Sequence, residues 1–334
     1  MVFEKGERRL IKVGDIKVIS RRRVRTAIAA LMLVCGLTGV LLGGCAGGGS
    51  TENLNDGLNK ITTTTMLYDM AVSIGGEQVN VTALMGPGID PHLYQASAGD
   101  VTKMQDADVI VYNGLHLEGK MGYVFAALSD SGRTVICIED GIDDLMLLSD
   151  EQNPDIHDPH IWFNVSIWKD AAKHLATCLA DADTENADVY SANLRDYLKE
   201  LEALEDYINE RVLEVAENQR VLVTAHDAFR YFGGAYGFKV LGLQGISTDA
   251  EAGTADVSGL AAFIADNKIK AIFVESSVPP RNIEALQAAV KARGFEVEIG
   301  GELYSDSLGD KASGHDTYIL TFKSNIDTIV DALK

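Results

Sequence analysis

Residues 188–218 run for 31 positions without a glycine or a proline, and this stretch constrains the fold more than any other feature of the chain. Tyr190, Leu194, Tyr197, Leu198, Leu201, Leu204 and Ile208 recur at the spacing of one helix face. Acidic and basic residues fill most of the other positions, as on a solvated helix surface. At 1.5 Å per residue such a helix would extend about 46 Å, against ~30 Å for the diameter of a small domain. The stretch therefore predicts a rod that joins two lobes.

What flanks the rod has a regular rhythm. Before it, β-rich runs at 61–65, 79–83, 109–112 and 134–138 alternate with helical patterns near 66–74, 98–105 and 120–128. After it, runs at 221–225, 239–243, 271–274 and 296–299 alternate with helices near 228–236, 257–267, 282–293 and 318–333. The expected fold is α/β, with two similar lobes, each a mainly parallel sheet flanked by helices, joined by one long rigid helix. A length of 334 residues suits two such units. The expected organisation is an N-terminal lobe at 60–187, the linking helix at 188–218 and a C-terminal lobe at 219–334.

The first 44 residues read as an address. They hold nine basic and three acidic residues, ending in the basic run Arg21-Arg22-Arg23-Val24-Arg25. An uncharged apolar stretch of 17 residues follows at 26–42, in the order of a secretory n-region and h-region. That is shorter than the ~20 residues a spanning helix needs. The segment closes on Leu42-Gly43-Gly44-Cys45, which resembles a bacterial lipobox. Cys45 is the expected lipidation site, residues 1–44 a signal peptide, and 45–59 a polar, glycine-rich tether. An extracytoplasmic protein held to the cell membrane by its N-terminal lipid follows.

The chain carries a net charge of −20, and removing residues 1–44 leaves 20 basic against 46 acidic residues, a net of −26. That sign excludes nonspecific nucleic-acid binding, which needs clustered cations. Cys35 would leave with the signal and Cys45 would carry lipid, so Cys137 and Cys178 remain, expected as buried free thiols.

Three of the seven histidines have neighbours that look like sites. His92 lies in Asp90-Pro91-His92 after the strand at 79–83. His160 lies in Asp158-Pro159-His160, just before a helix. His226 directly follows the strand at 221–225. All three fall in the strand-exit and helix-entry loops where open α/β sheets bind ligands. Imidazole is the commonest side-chain metal ligand, and its other ring nitrogen needs an acceptor to fix the tautomer. Asp90 and Asp158, each two residues before a histidine, are candidates for that task. A carboxylate should offset a divalent charge; Asp306 after the strand at 296–299 is the first candidate, and Glu275 after the strand at 271–274 its rival. His157 is a weaker candidate, and His116, His174 and His315 read as loop, helix-face and helix-start residues. There is no phosphate-binding glycine loop, no Gly-x-Ser-x-Gly elbow, no His-Glu-x-x-His and no Cys-x-x-Cys.

At this point the chain resembles the solute-binding lipoproteins of zinc and manganese ABC transporters. The likeness spans nearly all of 60–334 and rests on ordered motifs: Gly88-Ile89-Asp90-Pro91-His92-Leu93-Tyr94, Asn113-Gly114-Leu115, Asp158-Pro159-His160-Ile161-Trp162, Val223-Thr224-Ala225-His226-Asp227, Gly245-Ile246-Ser247-Thr248, Val274-Glu275-Ser276-Ser277 and Leu303-Tyr304-Ser305-Asp306-Ser307. The resemblance implies a metal held by His92 and His160 from one lobe and His226 and Asp306 from the other. It further implies delivery of Zn²⁺ or Mn²⁺ to an ABC permease, by a monomer and without catalysis. Members dedicated to manganese often have Glu where this chain has His226, and zinc-dedicated members often carry a His-rich loop that 143–156 lacks, so the set resembles the branch taking both ions. The alternatives are an extracytoplasmic zinc hydrolase with Asp227 or Glu275 as base, and a second role as a surface adhesin.

Overall fold

The computed structural model describes residues 57–150 and 153–334. The expected signal peptide, Cys45 and the expected tether up to residue 56 lie outside these residues. Among the described residues no helix is long and apolar enough to cross a membrane.

The first sheet starts earlier than expected. Strand β1 (Leu58–Thr62) already includes two residues assigned to the tether, because the Asn59 N–H donates to Asp108 and Leu58 registers against Val79. It also stops before the threonine run ends. Thr64 turns out of the strand and caps helix α1 (Thr65–Gly75), its hydroxyl accepting from Leu67 N. Strand β2 (Val79–Ala83), helix α2 (Ala98–Asp106), strand β3 (Val109–Tyr112), helix α3 (Gly122–Asp130) and strand β4 (Thr134–Cys137) complete the lobe. The four strands are parallel in the order β2-β1-β3-β4. Ile61 and Ile110 face α2 and α3 on one side; Val109 and Val111 face the α1 side.

Helix α4 (Val165–Ala182), capped by Asn164, leads into α5 (Ala187–Val212), the expected rod. At 26 residues it is about 39 Å long and shorter than the sequence predicts, ending six residues before 218. Tightened bonds from Glu214 N to Arg211 O and from Val215 N to Val212 O close its last turn, and Val215 tucks fully into the core. Nothing in the sequence marks that stop with a glycine or proline.

The second lobe runs β5 (Val221–His226), α6 (Arg230–Tyr236), β6 (Lys239–Gln244), α7 (Thr254–Asn267), β7 (Ala271–Glu275), α8 (Arg281–Lys291), β8 (Glu298–Leu303) and α9 (Tyr318–Leu333). Its strands form the parallel pairs β5-β6 and β7-β8, with β5 lying beside β7. Val223, Leu243, Ile264, Ile272 and Leu286 pack one face under α7 and α8. The opposite face, through Leu222, Phe273 and Leu303, joins the largest core cluster, which also holds residues of α1, α4, α5 and α9. The two lobes are thus bound by one continuous core, with α5 packed on α1, α4 and α9.

Candidate metal centre

The carboxyl ends of the strands of both lobes face a common crevice, and four side chains meet there. His92 hangs from the connection after β2, whose Gly88 adopts a positive φ of 74°. His160 opens a single 3-10 turn, Ile161–Phe163, ahead of α4. His226 is the last residue of β5, and Gly242 on β6 lets it sit deep: a Cβ there would meet the backbone N of Asp227 at 2.4 Å. Asp306 follows β8.

His160 Nε2 lies 3.4 Å from His92 Nε2 and 3.3 Å from His226 Nε2. Asp306 Oδ1 is 3.4 Å from His160 Nε2, and Asp306 Oδ2 is 3.4 Å from His226 Nε2. One donor atom from each of the four falls within 4.8 Å of all the others. His92 is 4% exposed, Asp306 1%, and the other two fully buried. Asp306 Oδ1 accepts no hydrogen bond, so a buried carboxylate lone pair is left aimed at the imidazoles. The edge of a tetrahedron around a metal bonded at 2.0–2.1 Å is about 3.3 Å, close to the separations of His160 from His92, His226 and Asp306 and of His226 from Asp306.

The surrounding carboxylates divide the labour. Asp158 Oδ1 accepts from His160 Nδ1 at 2.6 Å and Glu275 Oε2 accepts from His226 Nδ1 at 2.6 Å, so both rings direct Nε2 inward. Glu275 is therefore engaged behind His226, and Asp306 is the carboxylate in the cluster. Asp90 behaves otherwise: it takes the backbone N–H of His92 at 2.8 Å, not its ring, and receives the Thr248 hydroxyl at 2.6 Å. Burial pushes His92 down to about 3, with His160 and His226 adding to the effect. Burial also pulls on His160, but Asp158 and Asp306 outweigh it and raise it to about 9. Asp306 is held well below the usual carboxylate range by His226 and His160 although burial opposes this.

The other histidines stay apart. His174 on α4 meets the Cys137 carbonyl at 3.1 Å, His315 meets Tyr304 Oη at 3.2 Å, and His116 and His157 line the crevice wall. His315 precedes the α9 cap Thr317 and does not start the helix. Cys137 and Cys178 are free and half-buried. Sequence reasoning gave no role to three residues that hold the centre together. Trp162 sets its edge against His160 and donates to Ser305 O at 3.0 Å; Ser277 donates to Asp306 Oδ2 at 3.2 Å; the Tyr231 hydroxyl donates to Asp158 O at 3.0 Å. The first two lie inside the motifs already noted, and that adjacency was the available signal.

Fold and cluster define a class: parallel α/β lobes on a helical spine, with buried histidine and carboxylate donors between them that could hold a metal ion. The comparison with known proteins is of the same kind. The chain belongs to the family described as zinc-uptake complex component A periplasmic (ZnuA), whose model matches residues 61–332. It is 44% identical to the zinc-binding protein TroA of Treponema pallidum over 314 residues, 94% of this chain and 99% of that protein. It is 41% identical to the manganese-binding lipoprotein MntA of Bacillus subtilis over 293 residues, 88% of this chain and 95% of that one. The solved structure of the Treponema pallidum periplasmic zinc-binding protein TroA superposes with a TM-score of 0.80 at 45% identity, covering 83% of this chain and 99% of that one.

Proposed function

We propose that this chain is an extracytoplasmic receptor, anchored by lipid at Cys45, that captures Zn²⁺ or Mn²⁺ between its lobes and delivers the ion to an ABC permease. His92, His160, His226 and Asp306 are its ligands. The observation that carries this reading is the convergence of four buried donors within 4.8 Å, with His160 3.3–3.4 Å from each of the other three and Asp306 Oδ1 left an acceptor without a hydrogen bond. Relatives named for zinc and for manganese flank the same choice of ion. Imidazole suits zinc, while both Asp306 oxygens face the cluster and could bind bidentately to meet manganese's larger coordination number.

A hydrolase would need a coordination position left open for water, whereas four convergent protein donors favour capture. Metal analysis of protein purified without added ions, followed by Zn²⁺ against Mn²⁺ competition, tests the proposal. Close to one ion per chain is expected, and a His226→Ala variant that still retains a full equivalent would overturn the ligand assignment.

A further inference from the structure

The four ligands are not held alike. His160 and His226 are gripped at the ring by Asp158 and Glu275, while His92 is gripped only through its backbone N–H. His92 also rides on a long connection, residues 84–97 between β2 and α2. Its place therefore depends on what fastens that connection. Two fasteners come from the opposite lobe: Ser307 Oγ accepts from Gly88 N at 2.8 Å, and the Thr248 hydroxyl donates to Asp90 Oδ2 at 2.6 Å. Asp90 uses its other oxygen to accept from His92 N, so it is a bridge between Thr248 and the ligand.

Thr248 belongs to the connection between β6 and α7, and its own lobe holds that connection through Gln244 Nε2 donating to Ala250 O at 2.9 Å. The next residue, Asp249, meets Lys120 of the first lobe at 2.8 Å, but with side chains 34% and 55% exposed this pair is screened. The Thr248–Asp90 bond has the same kind of acceptor but is buried on the Thr248 side, at 8% exposure, so solvent screens it less than the Lys120–Asp249 pair. Lys120, Ser247 and Asp249 line the crevice, about 1180 Å³ in volume, onto which His92 opens.

We infer that Thr248 is a positioning residue: its hydroxyl fastens Asp90, and with it the His92 connection, to the opposite lobe, and so governs how fast a bound ion leaves. This rests on the metal-ligand reading above. A hydrogen bond to a charged acceptor is worth roughly a tenfold change in rate or more. The test is release of Zn²⁺ from the zinc-loaded full chain into excess chromogenic chelator, followed by stopped flow. Thr248→Val is expected to release zinc about tenfold faster, while Thr248→Ser, which keeps the hydroxyl, stays within about twofold of the unsubstituted chain. Lys120→Ala is expected to change the rate less than about threefold. Melting of the metal-free variants checks their fold, and Thr248→Ala replaces the valine variant if that one does not fold. Release at the unsubstituted rate from the valine or alanine variant, or equally fast release from the serine variant, overturns the inference. An unsubstituted chain that never retains zinc or manganese overturns the metal reading instead, which separates the two failures.

Discussion

Glu275→Gln is the perturbation that tests the centre most sharply. In the intact protein the two carboxylate oxygens take two donors of one residue, His226 Nδ1 at 2.6 Å and His226 N at 2.9 Å. A glutamine offers one acceptor oxygen, and its amide must face whichever N–H is left. At 2% exposure Glu275 is shut off from bulk water. Leaving one buried donor unpaired costs about 1–3 kcal/mol. Where the ring is the loser, His226 is freed to rotate its Nε2 away from the cluster. Removing such an acceptor weakens metal binding by about 10–100-fold, or about 1.4–2.8 kcal/mol. Competition against a graded series of chelator concentrations at fixed pH reads this directly, with His226→Ala as the reference for losing a ligand outright. An affinity within about twofold of the unsubstituted protein would refute the reasoning that the acceptor orients the ring. An affinity as poor as that of His226→Ala would refute it in the other direction, by making Glu275 itself a ligand.

Other expectations follow from the same geometry. Of the two tryptophans, Trp162 touches His160 while Trp168 stacks on Tyr318, so metal addition should change emission in the Trp168→Phe variant and not in Trp162→Phe. Burial raises Asp69 to about 6 from 3.8, so its contribution to stability is full below about pH 4 and is lost as pH rises through about 6. Asp69→Asn keeps an acceptor for Tyr318 N, removes the buried charge, and should flatten the melting-temperature profile between those values while raising it at pH 7.5 by the equivalent of about 3 kcal/mol or less. Arg211 joins Asp327, Asp331 and Glu214, tying the end of α5 to α9; Arg211→Ala should lower the melting temperature by a few degrees in dilute buffer and by less at high salt.

The strand and helix rhythm was readable because both lobes bury strands between helices, which concentrates β-branched and apolar residues into short runs. It failed at edges where side chains compete with the backbone. The threonine run at 62–65 reads as β-rich, yet Thr64 serves better as a helix cap than as a strand residue. The end of α5 was invisible because tertiary burial of Val215, not a breaker residue, ends it. At the centre, His92 and His160 were legible from their loops and the aspartate two residues before each, and His226 from its place at a strand exit. Contacts between lobes were not, since Trp162 and Ser305 meet across 143 residues and no local pattern records the pairing. For the same reason Asp90 and Asp158 look equivalent in sequence, although both take the backbone N–H of their histidine and only Asp158 also takes its ring.

Helix α5 bears on how an ion could ever be surrendered. Two lobes joined by a few loop residues can swing apart for little more than the cost of turning backbone torsions. A continuous 26-residue helix packed on both lobes would have to break its own backbone hydrogen bonds to bend. Wide clamshell opening is the expensive motion here. On the proposed function the frame is fixed, as in a vice, and an ion would be surrendered by withdrawing the ligand on the 84–97 connection rather than by parting the lobes.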